Sequence, residues 1–107
     1  MPKFVIERNM PEAGTLTDAD WREGARKSND VLHQMKDVQW VESYVTGDKV
    51  YCVYIAPNEE LIREHGKLSG FPVDRVARVD HVIDPTTAET TQDNRMNRKT
   101  QETTLRQ

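Results

Sequence analysis

Thiol and imidazole donors are scarce in this chain. Of its 107 residues one is cysteine, Cys52, and three are histidine: His33, His65 and His81. A single thiol excludes an internal disulfide and suits a reducing compartment. No second cysteine stands at Cys-x-x-Cys spacing, which excludes zinc ribbons and dithiol redox centres. No apolar run approaches the roughly 18 residues that a membrane span needs. The N-terminal stretch MPKFVIERNM lacks the long apolar core and small-residue site of a secretory leader. An excess of positive charge is missing as well: 15 Lys and Arg against 18 Asp and Glu give a net charge of −3. A nucleic-acid binder usually carries the opposite balance. The GxSxG, phosphate-loop, HExxH and GxGxxG patterns are all absent. What remains is a small cytoplasmic protein of one domain, with neither nucleic acid nor membrane as a partner.

The patterning that is present alternates strands and helices. Lys3–Met10 is short, rich in Phe, Val and Ile, and stops at Pro11, as a strand does. Thr17 is placed to cap a helix whose first turn carries Asp18 and Asp20, where the helix dipole favours negative charge. Trp21, Ala25, Ser28, Leu32 and Met35 then recur at steps of four and three, one stripe of an amphipathic helix. Val38–Val45 and Val50–Ala56 are β-branched and aromatic, and Gly47-Asp48 between them suits a tight hairpin in which glycine takes a positive φ. With that turn, Tyr44 faces Tyr51 and Ser43 faces Cys52. Strict alternation sorts Trp40, Glu42, Tyr44, Tyr51, Val53 and Ile55 onto one face, and Val41, Ser43, Val45, Val50, Cys52 and Tyr54 onto the other. Asn58 caps a second helix with Glu59 and Glu60 in its first turn, and Gly70 closes it ahead of Pro72. Gly66 inside that helix costs about 1 kcal/mol against alanine, a cost that close packing would explain. Asp74–Asp84 reads as the last strand.

The order β-α-β-β-α-β is the ferredoxin-like split βαβ arrangement. It predicts an α+β sandwich over residues 2–84, with a four-stranded antiparallel sheet and two helices on one face. Both faces of the central hairpin are apolar, so the face without helices needs a cover. A sheet-to-sheet homodimer of the dimeric alpha-beta barrel type is the simplest one. Residues 85–107 form a polar tail. Alone it cannot bury enough apolar surface to offset the entropy of ordering it, unless it lies along the domain or a second copy.

Each candidate for chemistry has a plainer reading beside it. Cys52 is a possible thiolate ligand, yet a lone cysteine in a central strand commonly acts as a small buried hydrophobe. His65 lies at i+4 from Leu61 and i−3 from Leu68, on or beside the apolar side of its helix. It is a ligand or an inward histidine with one hydrogen-bond partner. His81 follows Asp80 in the last strand, and the two point to opposite faces. His33 falls off the core stripe near the end of its helix, where a cation is mildly favourable. Glu7 and Glu42 are acids inside strands, paired with Arg8, Lys49 or Arg78, or else lining a cavity with Trp40, Tyr44 and Tyr51. An aromatic cleft with a few polar groups is the usual small-ligand site.

The segment SYVTGDKVYCVYIAPNEELIREHGKLSGFPVDRV and the closing VIDPTTAE resemble a family of small bacterial proteins, one studied branch of which is described as nickel-binding or nickel-responsive. The resemblance runs from about Pro2 to Glu89. It implies a ferredoxin-like fold that pairs into homodimers and binds metal, with nickel as the named ion. It maps the cysteine of the CVYIAP strand onto Cys52 and the histidine of the REHGKLSGFP helix onto His65. At the Gly-x-Pro corner, where a histidine can stand in that branch, this chain has Phe71.

The sequence thus predicts a small metal-binding homodimer, with His65, Cys52, His81 and Glu7 as metal candidates and Trp40, Glu42, Tyr44 and Tyr51 as cavity wall. The alternatives are a cofactor-free small-molecule enzyme of monooxygenase or isomerase type, by fold analogy alone, and a non-catalytic interaction module. A nucleotide cyclase shares the strand-helix order, but its paired metal-binding aspartates are not recognisable here.

Overall fold

The computed structural model describes residues 1–89. Strand β1 (Lys3–Asn9), helix α1 (Asp18–Gln34), strands β2 (Gln39–Val45) and β3 (Lys49–Ile55), helix α2 (Glu59–Ser69) and strand β4 (Arg75–Arg78) follow in that order. The strands make one sheet in the order β2-β3-β1-β4, with every neighbour antiparallel. The fold is therefore ferredoxin-like α+β.

Local chemistry sets the helix ends. The Thr17 hydroxyl accepts from the Asp20 N–H, and the Asp20 carboxylate accepts from the Thr17 N–H, a reciprocal capping box at the start of α1. The Asn58 side chain accepts from the Leu61 N–H at the start of α2. That helix ends at Gly70, whose φ of 80° is the left-handed conformation glycine adopts without a Cβ clash.

Alternation along β1 sends Phe4, Ile6 and Arg8 towards the helices and leaves Val5 and Glu7 on the outer face. Along β3 it does the same with Val50, Cys52 and Tyr54. Phe4, Ile6, Val50, Cys52, Tyr54, Ala56 and Ile62 form the buried core, with Trp21 and Leu32 of α1 and Leu61 of α2 packed against it. The helix α2 lies very close to the loop that follows it. A Cβ on Gly66 would stand 2.4 Å from Val73 Cγ2 and 3.3 Å from the Phe71 carbonyl oxygen. Close packing is thus the reason for glycine at that position.

Four expectations change. The hairpin register is as read, Tyr44 on Tyr51 and Ser43 on Cys52. However, the pairing steps from Trp40–Tyr54 to Glu42–Val53, so Val41 is an extra residue in β2. This bulge reverses the face of everything before it, and Trp40 turns to the helix side. Gly47 has no positive φ. The close approach in that loop belongs to Gly14, where a Cβ would stand 3.0 Å from the Gly47 backbone. The last strand stops at Arg78, so His81 lies beyond the sheet, exposed. Finally, Leu68 is 54 % exposed and takes no part in the core. Pro85–Glu89 forms a short 3-10 turn; the remainder of the expected tail lies outside the described residues.

Candidate functional site

A half-open cleft of about 320 Å³ lies between α1 and the helix-side face of β2 and β3. Its walls are mostly apolar: Trp21 from α1, Trp40 from β2, Phe71 from the loop after α2, with Met10, Leu16 and Val45 beside them. The small residues on the facing side of α1, Gly24, Ala25 and Ser28, leave this room. Trp40 is held in place by its indole N–H, which donates to Ser43 Oγ at 2.9 Å across the bulge.

The floor is polar and linked. Arg8 is only 3 % exposed. Its Nε donates to Cys52 Sγ at 3.4 Å, Nη1 to the Pro72 carbonyl at 2.9 Å and Nη2 to the Tyr54 hydroxyl at 3.4 Å. The guanidinium also stands 5.8 Å from the centre of the Phe71 ring, within cation–π range. Among the described residues no carboxylate forms an ion pair with it. Tyr54 continues the network. Its hydroxyl lies against Ser28 as well as Arg8, and burial raises its pKa above the ordinary phenol value.

Behind Ser28 sits His65, completely buried. Its Nε2 lies 3.1 Å from Ser28 Oγ, and its ring tilts against Tyr54 at a centroid distance of 5.3 Å. Nδ1 has no hydrogen-bond partner among the described residues. An orphaned acceptor nitrogen is less costly than an orphaned N–H, so the favoured tautomer carries its proton on Nε2 and donates to Ser28. Burial lowers the His65 pKa below the ordinary imidazole value, and the Arg8 charge lowers it further.

The residues singled out from sequence fall into three places. Cys52 and His65 are both buried on the helix side, linked through Arg8 and Tyr54. Glu7 is on the outer face, bound to Lys49 Nζ at 2.7 Å. That bond raises the Lys49 pKa. Glu42, Tyr44 and Tyr51 share the outer face, where the Tyr44 hydroxyl donates to the Glu42 carboxylate. His81 is exposed beyond β4. A single cavity lined by Trp40, Glu42, Tyr44 and Tyr51 is thus corrected by the Val41 bulge. Trp40 lines the helix-side cleft, and the other three lie across the sheet from it.

Nickel donors are equally scattered within one chain. Among the described residues no three side chains of His, Cys, Asp or Glu come together. A dication between Cys52 and His65 would meet the Arg8 guanidinium, which already occupies Cys52 Sγ. The two therefore do not fit a nickel ion by themselves.

Arg8 and Tyr54 are what sequence reasoning missed at this floor. The signal for Arg8 was available, because it stands at period two from Phe4 and Ile6.

Fold and cleft together define a small ferredoxin-like α+β protein with an aromatic pocket on its helix side. The chain belongs to a family described as "Nickel responsive protein SCO4226-like", whose model matches residues 4–79. The crystal structure of SCO4226 from Streptomyces coelicolor A3(2) is similar, with a TM-score of 0.66, 13 % identity, and coverage of 76 % of this chain and 99 % of that one. At that identity the likeness concerns the fold. No curated protein matches. No helix among the described residues is long and apolar enough to cross a membrane.

Proposed function

We propose that this protein is a cytoplasmic homodimer that binds a small organic molecule in the cleft under α1. The observation that carries the reading is the cleft itself: three aromatic side chains, Trp21, Trp40 and Phe71, around a buried polar floor. Pockets of this composition and size hold small ligands, with apolar walls giving affinity and a few polar groups giving orientation. The outer sheet face, with Val5 and Tyr44 exposed, is the surface two copies would share. A plugged variant tests the reading. Soluble aromatic fragments bind the native protein with Kd below about 1 mM, roughly −4 kcal/mol, and lose that affinity in Ala25→Phe. Failure of every fragment, or binding indifferent to the plug, contradicts it.

The family's description favours a second reading, in which the protein responds to nickel by binding it. Among the described residues its candidate donors do not converge within one chain, with His65 and Cys52 on the helix side, Glu7 on the outer face and His81 beyond β4, so the metal shell would have to be shared between copies. Imidazole nitrogen and thiolate sulfur both suit nickel, and carboxylate oxygen can complete the shell. Calorimetric titration of tag-free protein with nickel chloride decides it. Binding tighter than about 100 μM, near −5.5 kcal/mol, supports the metal reading, and weaker binding sinks it.

A further inference from the structure

We propose that the molecule taken by the cleft carries a carboxylate or equivalent anionic oxygen pair, which docks on Arg8. This rests on the cleft being a ligand site and names the chemical class of the ligand.

The starting point is a cation where one is costly. A guanidinium is always charged, and burying it without a counter-charge is unfavourable unless hydrogen bonds or an anion compensate. Arg8 is 3 % exposed and makes three hydrogen bonds, none of them to a carboxylate: to Cys52 Sγ, the Pro72 carbonyl and the Tyr54 hydroxyl. Guanidinium has five N–H groups, so about two are left without an acceptor. The bond to the Tyr54 hydroxyl, at 3.4 Å, is long for an N–H···O contact. The Phe71 ring face adds a further neutral contact.

Other charges at the site do not supply the missing anion. Asp20 is the acid on the cleft wall, and its carboxylate accepts the Thr17 N–H in the capping box of α1. His65, behind Ser28, adds no competing cation, because burial and then the Arg8 charge lower its pKa. Among the described residues that line the cleft, the guanidinium is the one cation, in an apolar pocket where a low local dielectric strengthens its pull on an anion. Its planar fork matches a carboxylate bidentately, a geometry that lysine does not offer. The Tyr54 and Ser28 hydroxyls stand beside it to complete the shell of an anionic oxygen. The walls set the rest of the ligand. Trp21, Trp40 and Phe71 favour a flat, apolar body. The chain's net charge of −3 works against anions in general, so a preference for one is a property of this floor and not of the whole surface.

A matched pair of probes tests the proposal on the unmodified full-length protein. Naphthalene-2-carboxylate and naphthalene-2-carboxamide share shape and apolar area and differ in charge. Calorimetric titration at moderate salt is expected to show the carboxylate binding at least tenfold tighter. Arg8→Met should bring the carboxylate down to the affinity of the carboxamide, while Arg8→Lys, which keeps the charge and loses the fork, should fall between. Equal binding of the two probes to the native protein overturns the Arg8 proposal and leaves the cleft reading standing. Binding of neither overturns both. If Arg8→Met does not fold, the native-protein comparison still decides.

Discussion

Ser28 of α1 and His65 of α2 meet across the helix layer, Oγ to Nε2 at 3.1 Å, both out of solvent. This contact ties the wall of the cleft to the second helix and leaves the imidazole with one hydrogen bond. Removing it should therefore be costly out of proportion to its size. Ser28→Ala leaves the His65 Nε2–H without an acceptor, and the expected loss is about 1–3 kcal/mol in urea unfolding. Exposed Asn29, one residue further along α1, provides the comparison. Asn29→Ala should stay within about 0.5 kcal/mol.

The same histidine gives stability a pH dependence of definite sign. Its folded pKa lies below the value of about 6.5 that the unfolded chain shows. Below pH 6.5 the unfolded state takes up a proton that the folded state refuses. Its contribution to stability is thus complete above that pH and is lost as pH falls towards the folded pKa. Urea midpoints should decline from pH 7 to pH 5, and His65→Leu should remove that part of the slope. A midpoint that rises on acidification, or an unchanged slope in the variant, would show that His65 is not buried neutral.

At Gly66 helix propensity and packing oppose each other. Alanine in a helix interior is worth about 1 kcal/mol over glycine. The added methyl here would stand 2.4 Å from Val73 Cγ2, and overpacking of this kind typically costs about 1–3 kcal/mol. Gly66→Ala should lower stability, and Val73→Ala in that background should recover part of the loss. A variant more stable than the native protein would mean that Val73 can move away freely.

On the outer face, Val5 lies between Val53 and Ala77 and is 37 % exposed. A sheet-to-sheet dimer would bury it, and an aspartate there would place an unpaired charge in the interface. In sedimentation equilibrium the native protein is expected at twice the chain mass and Val5→Asp at the chain mass, with the same circular dichroism. A monomeric native protein would remove the homodimer from the proposed function.

The helix boundaries were legible from the sequence because capping is local. Thr17, Asn58 and Gly70 each act within about four residues of where they stand. The hairpin register was legible because Gly47-Asp48 fixes it from the turn. Trp40 was placed on the wrong face for a matching reason: one inserted residue, Val41, leaves the composition of β2 unchanged yet inverts its alternation. The end of β4 was overrun because Val79 still donates its N–H to the Lys3 carbonyl, and Val82 and Ile83 keep a strand-like pattern after pairing has stopped. Val79 is partly buried, whereas Val82 and Ile83 are exposed. Of the cleft wall only Trp40 was named from the sequence, since the rest depends on how far α1 stands from the sheet across Gly24, Ala25 and Ser28. Arg8 was hidden by chemistry and not by pattern. Its inward position follows from Phe4 and Ile6, but an arginine weighs towards solvent in any reading that does not already know of a pocket.

The most direct measurement uses the two tryptophans, which are the only ones in the chain and which both line the cleft. Their indole ¹H–¹⁵N signals report on its occupancy. Titration with naphthalene-2-carboxylate should move both, Trp21 and Trp40, along one saturable curve. The backbone signals of Glu42, Tyr44 and Tyr51 on the far side of the sheet should stay within noise. Two indole signals that do not move at saturating probe, or shifts confined to the outer face, would contradict a ligand site under α1.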